Sequence, residues 1–404
     1  MNKVTLYQKD QAGNTKIWTI EVVDCGTHSE IRSTSGREGG AVIPTVKVIK
    51  AGKGNKTHFE QACSDAQSKA DSKIRDGYVD DINNIKASNE LGAGMRSPML
   101  ANKYHATGKQ SGSKTLKQIG IEGKEIGIQR KKDGNRCIAH VDLNGCELRT
   151  RKGEKFAALK HIEDQMTAAF TKIFKYVNEK YGVTEYTIDG ELMPGKGADG
   201  VNLFSFNRLN GLVKNTNRTP EEEALAQTIT YQIYDVDLPV GYKTRDSIKN
   251  YFKASHLCPL ETIYITANDA ELQKYHDQFI EEGEEGLMIR QLDMPYEHKR
   301  TWQLCKMKMF EDAEFEIVGG EESTIFGQIG ALIVKAPVGC FDRAGNPILT
   351  FKASLKFPHE ERKMIWNNLN SLIGTECTVD YFGKSEYGIP RFPRCTKLRN
   401  SWDK

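Results

Sequence analysis

The 404-residue chain has nine cysteines but no C-x-x-C pair. That argues against a zinc site of the usual spacing and against a disulfide framework. The odd number suits free thiols in a reducing compartment. No apolar run approaches the length of a membrane helix, and the opening MNKVTLYQKDQAGN lacks the apolar core of a secretory signal. An intracellular protein of cytoplasm or nucleoid, without membrane contact, is expected. Internal repeats and low-complexity tracts are also missing. The net charge is only +3, too small by itself to argue for a polyanionic partner.

What is present describes an ordinary globular protein, with 38% hydrophobic and 27% charged residues. Its length allows two or three domains, each with a core. The charge distribution is more informative than its sum. VKVIKAGKGNK, 46–56, carries Lys47, Lys50, Lys53 and Lys56 without an acid, and four lysines from Lys103 to Lys117 repeat the pattern. Such runs suit phosphate backbones, although a solvated face is their commoner explanation.

An α+β multidomain chain is expected. Residues 1–92 read as a small α+β domain: strand-like VTLYQKD, IWTIEVV and VIPTVKVIK, then a helical FEQACSDAQSKADSKIRDGY ending at Gly77. ASNELGAGMRSP, 87–98, is the linker candidate. Residues 93–310 alternate strands and helices. Asn144-Gly145 marks a hairpin, and 154–182 forms the longest helical pattern, stopping at Gly182. Residues 311–404 hold short strands, FEIVGG, ALIVKAP, ILTFKAS and CTVDYFG, interrupted by one helical stretch. That composition predicts a small Greek-key barrel of the OB type.

Two phosphate-loop signals are decoys. GKGADG, 195–200, fits G-x-G-x-x-G but lacks a βαβ setting of Val/Ile-rich parallel strands. GKS, 383–385, has Thr378 where a P-loop needs glycine.

An ordered series of motifs carries the chemistry. Lys131-x-Asp133-Gly134-x-Arg136 follows a strand-like run; alone, it would arise by chance in roughly one of two hundred such chains. Then come ELRTRKG with Arg151 and Gly153, and YTIDGELM with Asp189 and Glu191 flanking a glycine. YQIYDV places Tyr234 in a strand, EEGLMIR runs from Glu285-Gly286 to Arg290, and LCKMKMF puts Lys306 and Lys308 on one strand face.

This series resembles the covalent nucleotidyltransferases, and within them the ATP-dependent DNA ligases, over about 99–404. The resemblance implies a nucleotidyltransferase domain of ATP-grasp-like antiparallel sheets with helices, followed by an OB-fold barrel. It implies a DNA ligase (ATP) that seals 5′-phosphate/3′-hydroxyl nicks in duplex DNA, in replication, repair or recombination. Lys131 would be the nucleophile that forms lysyl-AMP, with Lys132 left to a surface or phosphate contact. The amine must lose its proton to attack, a loss that neighbouring cations favour. Arg136 and Arg151 would hold ribose and phosphate, and Lys306 and Lys308 the triphosphate. Glu191 and Glu285 would hold Mg²⁺ (or Mn²⁺) or a ribose hydroxyl. Tyr234 would either stack on adenine or pack in the core, and Asp189 would stabilise a turn. The family's terminal R-x-D-K becomes LRNSWDK here: Arg399 fits, while Ser401 and Trp402 stand at the Asp and Lys positions and Asp403 and Lys404 follow two residues late.

Residues 1–92 resemble a WGR-type module, with Trp18 in one strand and SGREGG after another. That implies DNA contact through Lys47, Lys50, Lys53 and Lys56, or else a docking domain without it. A monomer bound to nicked DNA is the expected working form. The rival readings are an RNA ligase, an mRNA-capping guanylyltransferase preferring GTP, and a non-catalytic nick- or end-binding protein. The last would require loss of Lys131, Glu191 or Glu285, all of which are present.

Overall fold

The computed structural model describes residues 3–10, 13–85, 96–108, 112–308, 311–323, 327–342 and 344–399. They fall into two compact units, 1–88 together with 309–404, and 89–308. Most of the linker candidate lies outside the described residues.

The first unit begins with a four-stranded antiparallel meander, β1 (Val4–Lys9), β2 (Thr15–Asp24), β3 (Ser29–Arg37) and β4 (Val42–Ile49), followed by helix α1 (His58–Arg75). Three strands match the apolar runs of the sequence. The strand β3, SEIRSTSGR, has Ile31 as its one large apolar residue, so it carries no alternation to read. Thr57 and Glu60 form a reciprocal cap at the start of α1. Its buried Ala62, Ala66 and Ala70 recur every four residues, a small-residue stripe that lets the helix lie close on Leu6, Trp18, Ile20 and Ile31.

The second unit holds two sheets. In chain order its elements are β5 (Leu100–Tyr104), β6 (Ser113–Lys114), α2 (Leu116–Ile119), β7 (Glu125–Lys131), β8 (Asn135–Val141), β9 (Cys146–Thr150), α3 (Lys160–Tyr181) and β10 (Tyr186–Met193). They continue with α4 (Phe206–Leu212), α5 (Pro220–Ala226), β11 (Thr230–Val236), α6 (Tyr242–Lys249), β12 (Leu257–Pro259), β13 (Ile263–Thr266), α7 (Asp269–Glu281), β14 (Gly286–Gln291) and β15 (Arg300–Lys308). One sheet runs β12-β11-β10-β8-β9, the other β13-β7-β14-β15-β5-β6. The Asn144-Gly145 hairpin joins β8 to β9 as expected. Helix α3 starts six residues later than its sequence pattern and stops at Gly182 in the left-handed conformation.

Each sheet has one dry face. Cys137, Ala139, Ile188, Leu192, Tyr231 and Ile233 pack against α3 residues such as Met166 and Phe170. In the other sheet, Ile126, Ile128, Leu287 and Ile289 pack against Leu272 and Phe279 of α7. Because side chains alternate along a strand, the opposite faces carry Arg136, Asp189, Glu191 and Tyr234 on one sheet, and Gln129, Lys131, Met288, Arg290 and Lys306 on the other.

The remaining part of the first unit is a closed five-stranded barrel in the order β16-β17-β18-β20-β19. Its elements are β16 (Glu311–Glu322), β17 (Ile329–Lys335), β18 (Thr350–Leu355), α8 (His359–Asn367), α9 (Leu369–Leu372), β19 (Glu376–Tyr381) and β20 (Arg394–Leu398). Five strands with a helix between the third and fourth match the expected barrel.

Candidate active site

A cavity of about 200 Å³ in the second unit is lined from both sheets, by Gln129, Lys131, Arg136, Arg151, Glu191, Tyr234, Met288, Arg290, Arg300 and Lys306 among others. Lys131 ends β7 opposite Gly286, the first residue of β14. Two close backbone approaches fix this corner. A Cβ on Gly134 would lie 2.4 Å from Leu192 O, and one on Gly286, whose φ is +139°, would lie 2.3 Å from Met307 O. Glycine is therefore required after Asp133 and after Glu285.

Glu285 is the hub of the corner. Its backbone N–H donates to Lys131 O at 2.9 Å. Its buried carboxylate accepts hydrogen bonds from Lys131 Nζ on one oxygen and Lys308 Nζ on the other. Lys132, also at the cavity wall, is paired with Glu284. On the facing sheet, burial raises the Glu191 carboxyl to about 8, against the opposing pull of Lys131 and Arg136. Its Oε2 lies 3.5 Å from Tyr234 Oη.

Asp189 does not stabilise a turn. It is buried in the middle of β10, where its carboxylate accepts Arg136 Nε at 3.0 Å and Nη2 at 2.5 Å, and the Tyr296 hydroxyl at 2.6 Å. Arg136 also donates to Met99 O at 2.6 Å. Its fork is thus committed to the scaffold, and among the described residues Nη1 is the donor left. The Arg136 and Arg290 guanidinium groups each lie 5.8 Å from the Tyr234 ring centre. Tyr234 lines the cavity as well as being packed.

Arg290 and Arg300 hold site positions to which the sequence reading assigned no role. Arg290 is buried, donates to Gln129 Oε1 at 2.7 Å and to Asp235 Oδ2 at 2.6 Å, and Asp235 also takes Arg245 Nε at 2.8 Å. Burial opposes the Asp235 charge, yet the two arginines hold its carboxyl below the usual range. Arg300 is tied to Ala101 O and faces the cavity.

Eight of the lining residues are lysine or arginine and one, Glu191, is a carboxylate. Five of those cations have carboxylate partners on the framework. Arg151, Arg300 and Lys306 have none among the described residues. Burial lowers Arg151, helped by Arg136 and Arg300. Burial and then Lys308, Lys131 and Arg300 lower Lys306 to about 8. Three uncompensated cations converging on one cavity make a site for a polyanion.

The other expected site residues belong to the first unit. Arg399 is held by Glu314 at 2.8 Å, and Ser401, Trp402, Asp403 and Lys404 lie outside the described residues. Lys47 is paired with Asp65 of α1 at 2.7 Å, whereas Lys50, Lys53 and Lys56 are exposed where β4 leads into α1.

The family model for the ATP dependent DNA ligase domain matches residues 98–308. The DNA ligase of Enterobacteria phage T6 is 26% identical over 303 residues, covering 64% of this chain and 60% of that protein. The DNA ligase of Archaeoglobus fulgidus is 23% identical over 288 residues, covering 69% and 48%. The chain thus spans 60% or less of the length of these relatives. A solved structure from a study of Lig E DNA ligases aligns with 76% of this chain and all of its own, at TM-score 0.54 and 23% identity. Another, Pmar-Lig_Pre, aligns with 75% and 67%, at TM-score 0.57 and 21% identity. Both share the fold.

Proposed function

Because the chain belongs to the ATP-dependent DNA ligase family, we propose that it seals 5′-phosphate/3′-hydroxyl nicks in duplex DNA through a lysyl-AMP intermediate. The observation that carries this reading is the corner where Lys131 Nζ meets the Glu285 carboxylate, beside three uncompensated cations and Tyr234.

That geometry supports a first step in which the Glu285 carboxylate would take a proton from the Lys131 ammonium, freeing the nitrogen lone pair. Attack on the α-phosphorus of ATP forms an N–P bond and breaks the P–O bond to the β-phosphate, so pyrophosphate leaves. Arg151, Arg300, Lys306 and Lys308 would balance its growing charge. Tyr234 and Met288 would bound the adenine. The adenylate then passes to the 5′-phosphate at a nick, and the 3′-hydroxyl displaces AMP to close the strand.

Glu191 and Glu285 are the donors that would hold Mg²⁺ or Mn²⁺. Glu191 fits such an ion, because a carboxyl raised by burial is one that lacks a sufficient counter-charge. When bound, the ion would neutralise charge on the phosphates. We assign residues 1–92, 93–310 and 311–404 to a DNA-binding module of WGR type, the adenylyltransferase and the OB-fold barrel. The first and last would grip duplex DNA through its phosphates.

The test is the intact mass of the protein, stripped with pyrophosphate and incubated with Mg²⁺ and either ATP or GTP. An AMP adduct mapping to Lys131, absent in Lys131→Ala, supports the reading, and sealing of a nicked duplex completes it. A GMP adduct points to capping chemistry, and no adduct overturns the proposal.

A further inference from the structure

The turn between β2 and β3 gathers Cys25, His28 and Glu30, with one donor atom from each within 4.8 Å of the others. Ligands of a tetrahedral zinc ion sit roughly 3.5 Å apart, given its bond lengths. Small side-chain rotations at this turn would close the difference. The spacing is C-x-x-H-x-E, which a search for paired cysteines passes over.

The surroundings hold the backbone of the turn and orient two of the three donors. Cys25 is a free, exposed thiol. The backbone is held by the Cys25 N–H bond to His28 O at 2.9 Å and the Gly26 N–H bond to Asp24 Oδ1 at 2.9 Å. Helix α1 braces the turn through His58, whose Nε2 is 3.1 Å from Gly26 O and whose Nδ1 is 2.9 Å from Ser29 Oγ. A ring nitrogen facing a carbonyl must donate, so Nδ1 of His58 accepts from the serine hydroxyl and that ring is committed to the scaffold.

His28 is arranged differently. Its Nδ1 lies 3.2 Å from Thr27 Oγ1, while Nε2 lies 3.7 Å from Glu30 Oε1. When a cation replaces that contact, Nδ1–H can donate to the threonine and leave the Nε2 lone pair for the metal. Arg32 donates to Glu30 Oε2 at 2.8 Å, which leaves Oε1 for the cluster. Hydrogen bonds that occupy the second nitrogen of a histidine and the second oxygen of a carboxylate are the usual supports of metal ligands.

We propose that Cys25, His28 and Glu30 bind a zinc ion, with a fourth position open to water. One sulfur, one nitrogen and one oxygen suit Zn²⁺, which accepts all three donors and has no geometric preference of its own. The three residues belong to the first unit.

The full-length protein, freed of metal by chelator and dialysis, should take up Co²⁺ with a near-ultraviolet thiolate-to-metal band. The band should be lost in Cys25→Ser and kept in Cys63→Ser, a second cysteine that is not fully buried. Zn²⁺ affinity, measured by competition with a chromophoric chelator, should fall at least tenfold in His28→Ala. The same chelator assay should show a smaller loss in Glu30→Gln, which retains one oxygen donor. A thiolate band that is absent, or that survives in Cys25→Ser, overturns the site. So does equal Zn²⁺ affinity of His28→Ala and the parent, which would mark an isolated surface thiol.

Discussion

Glu191 has a carboxyl raised to about 8, and its stability effect can be signed. Between its ordinary value of 4.5 and about 8, the folded chain keeps a proton that the unfolded chain has released. Stability therefore falls as pH rises through that window. Glu191→Gln should unfold at the same temperature as the parent near pH 4, but a few degrees higher at pH 8. The same substitution should abolish adenylylation. Parallel melting curves across the window would remove the charge argument. Arg300 offers a second residue-scale test. A hydrogen bond to a charged group contributes about 1.5–3 kcal/mol, so Arg300→Ala should weaken ATP use roughly ten- to a hundredfold in single-turnover adenylylation. Its fold should be unaffected, because among the described residues its side chain is tethered only to Ala101 O.

At the scale of elements, the buried carboxylate of Asp235 locks β11 and β14 together through Arg290, and brings in α6 through Arg245. Removing that charge leaves two buried guanidinium groups uncompensated, and breaking such a pair costs about 3–5 kcal/mol. Asp235→Asn should lower the urea midpoint accordingly, with Tyr234 displaced and adenylylation reduced. A loss of stability under about 1 kcal/mol would mean that the arginines find water instead. This network also explains what the sequence left unread. Lys131, Glu191, Glu285 and Lys306 were singled out because each sits in a short motif of the sequence. Arg300 was not: it stands at the start of β15, outside every short motif, although it lines the same cavity as Lys306. Asp189 was misread because a D-G pair suggests a turn, whereas here a Cβ on Gly190 would strike Gln232 O at 2.5 Å within the sheet. The strand β3 escaped notice for want of apolar alternation.

Across the whole molecule, the order of motifs was visible in the chain, but the charge compensation that makes one cavity a polyanion site was not, since it depends on which carboxylates fold beside which cations. The same reasoning sharpens the proposed DNA-binding role of the N-terminal module. Lys47 is neutralised by Asp65, and this pair also holds that carboxyl below its usual range, so it should contribute little to phosphate binding. Lys50, Lys53 and Lys56 are exposed; Lys56 meets a hydroxyl, Ser64 Oγ at 3.2 Å. Each lysine placed on a phosphate adds about 0.9 to the slope of log affinity against log salt. Replacing all three with alanine should reduce that slope for a nicked duplex by about 2–3, while the rate of self-adenylylation stays unchanged. The variant should fold, because none of the three contributes to the core beneath α1. Lys47→Ala alone should move the slope by well under one. If the triple variant keeps the parental slope, residues 1–92 do not grip phosphates through this run, and the reading of that module as a docking domain gains. If the slope and the adenylylation rate fall together, the lysines act on the first chemical step rather than on the DNA.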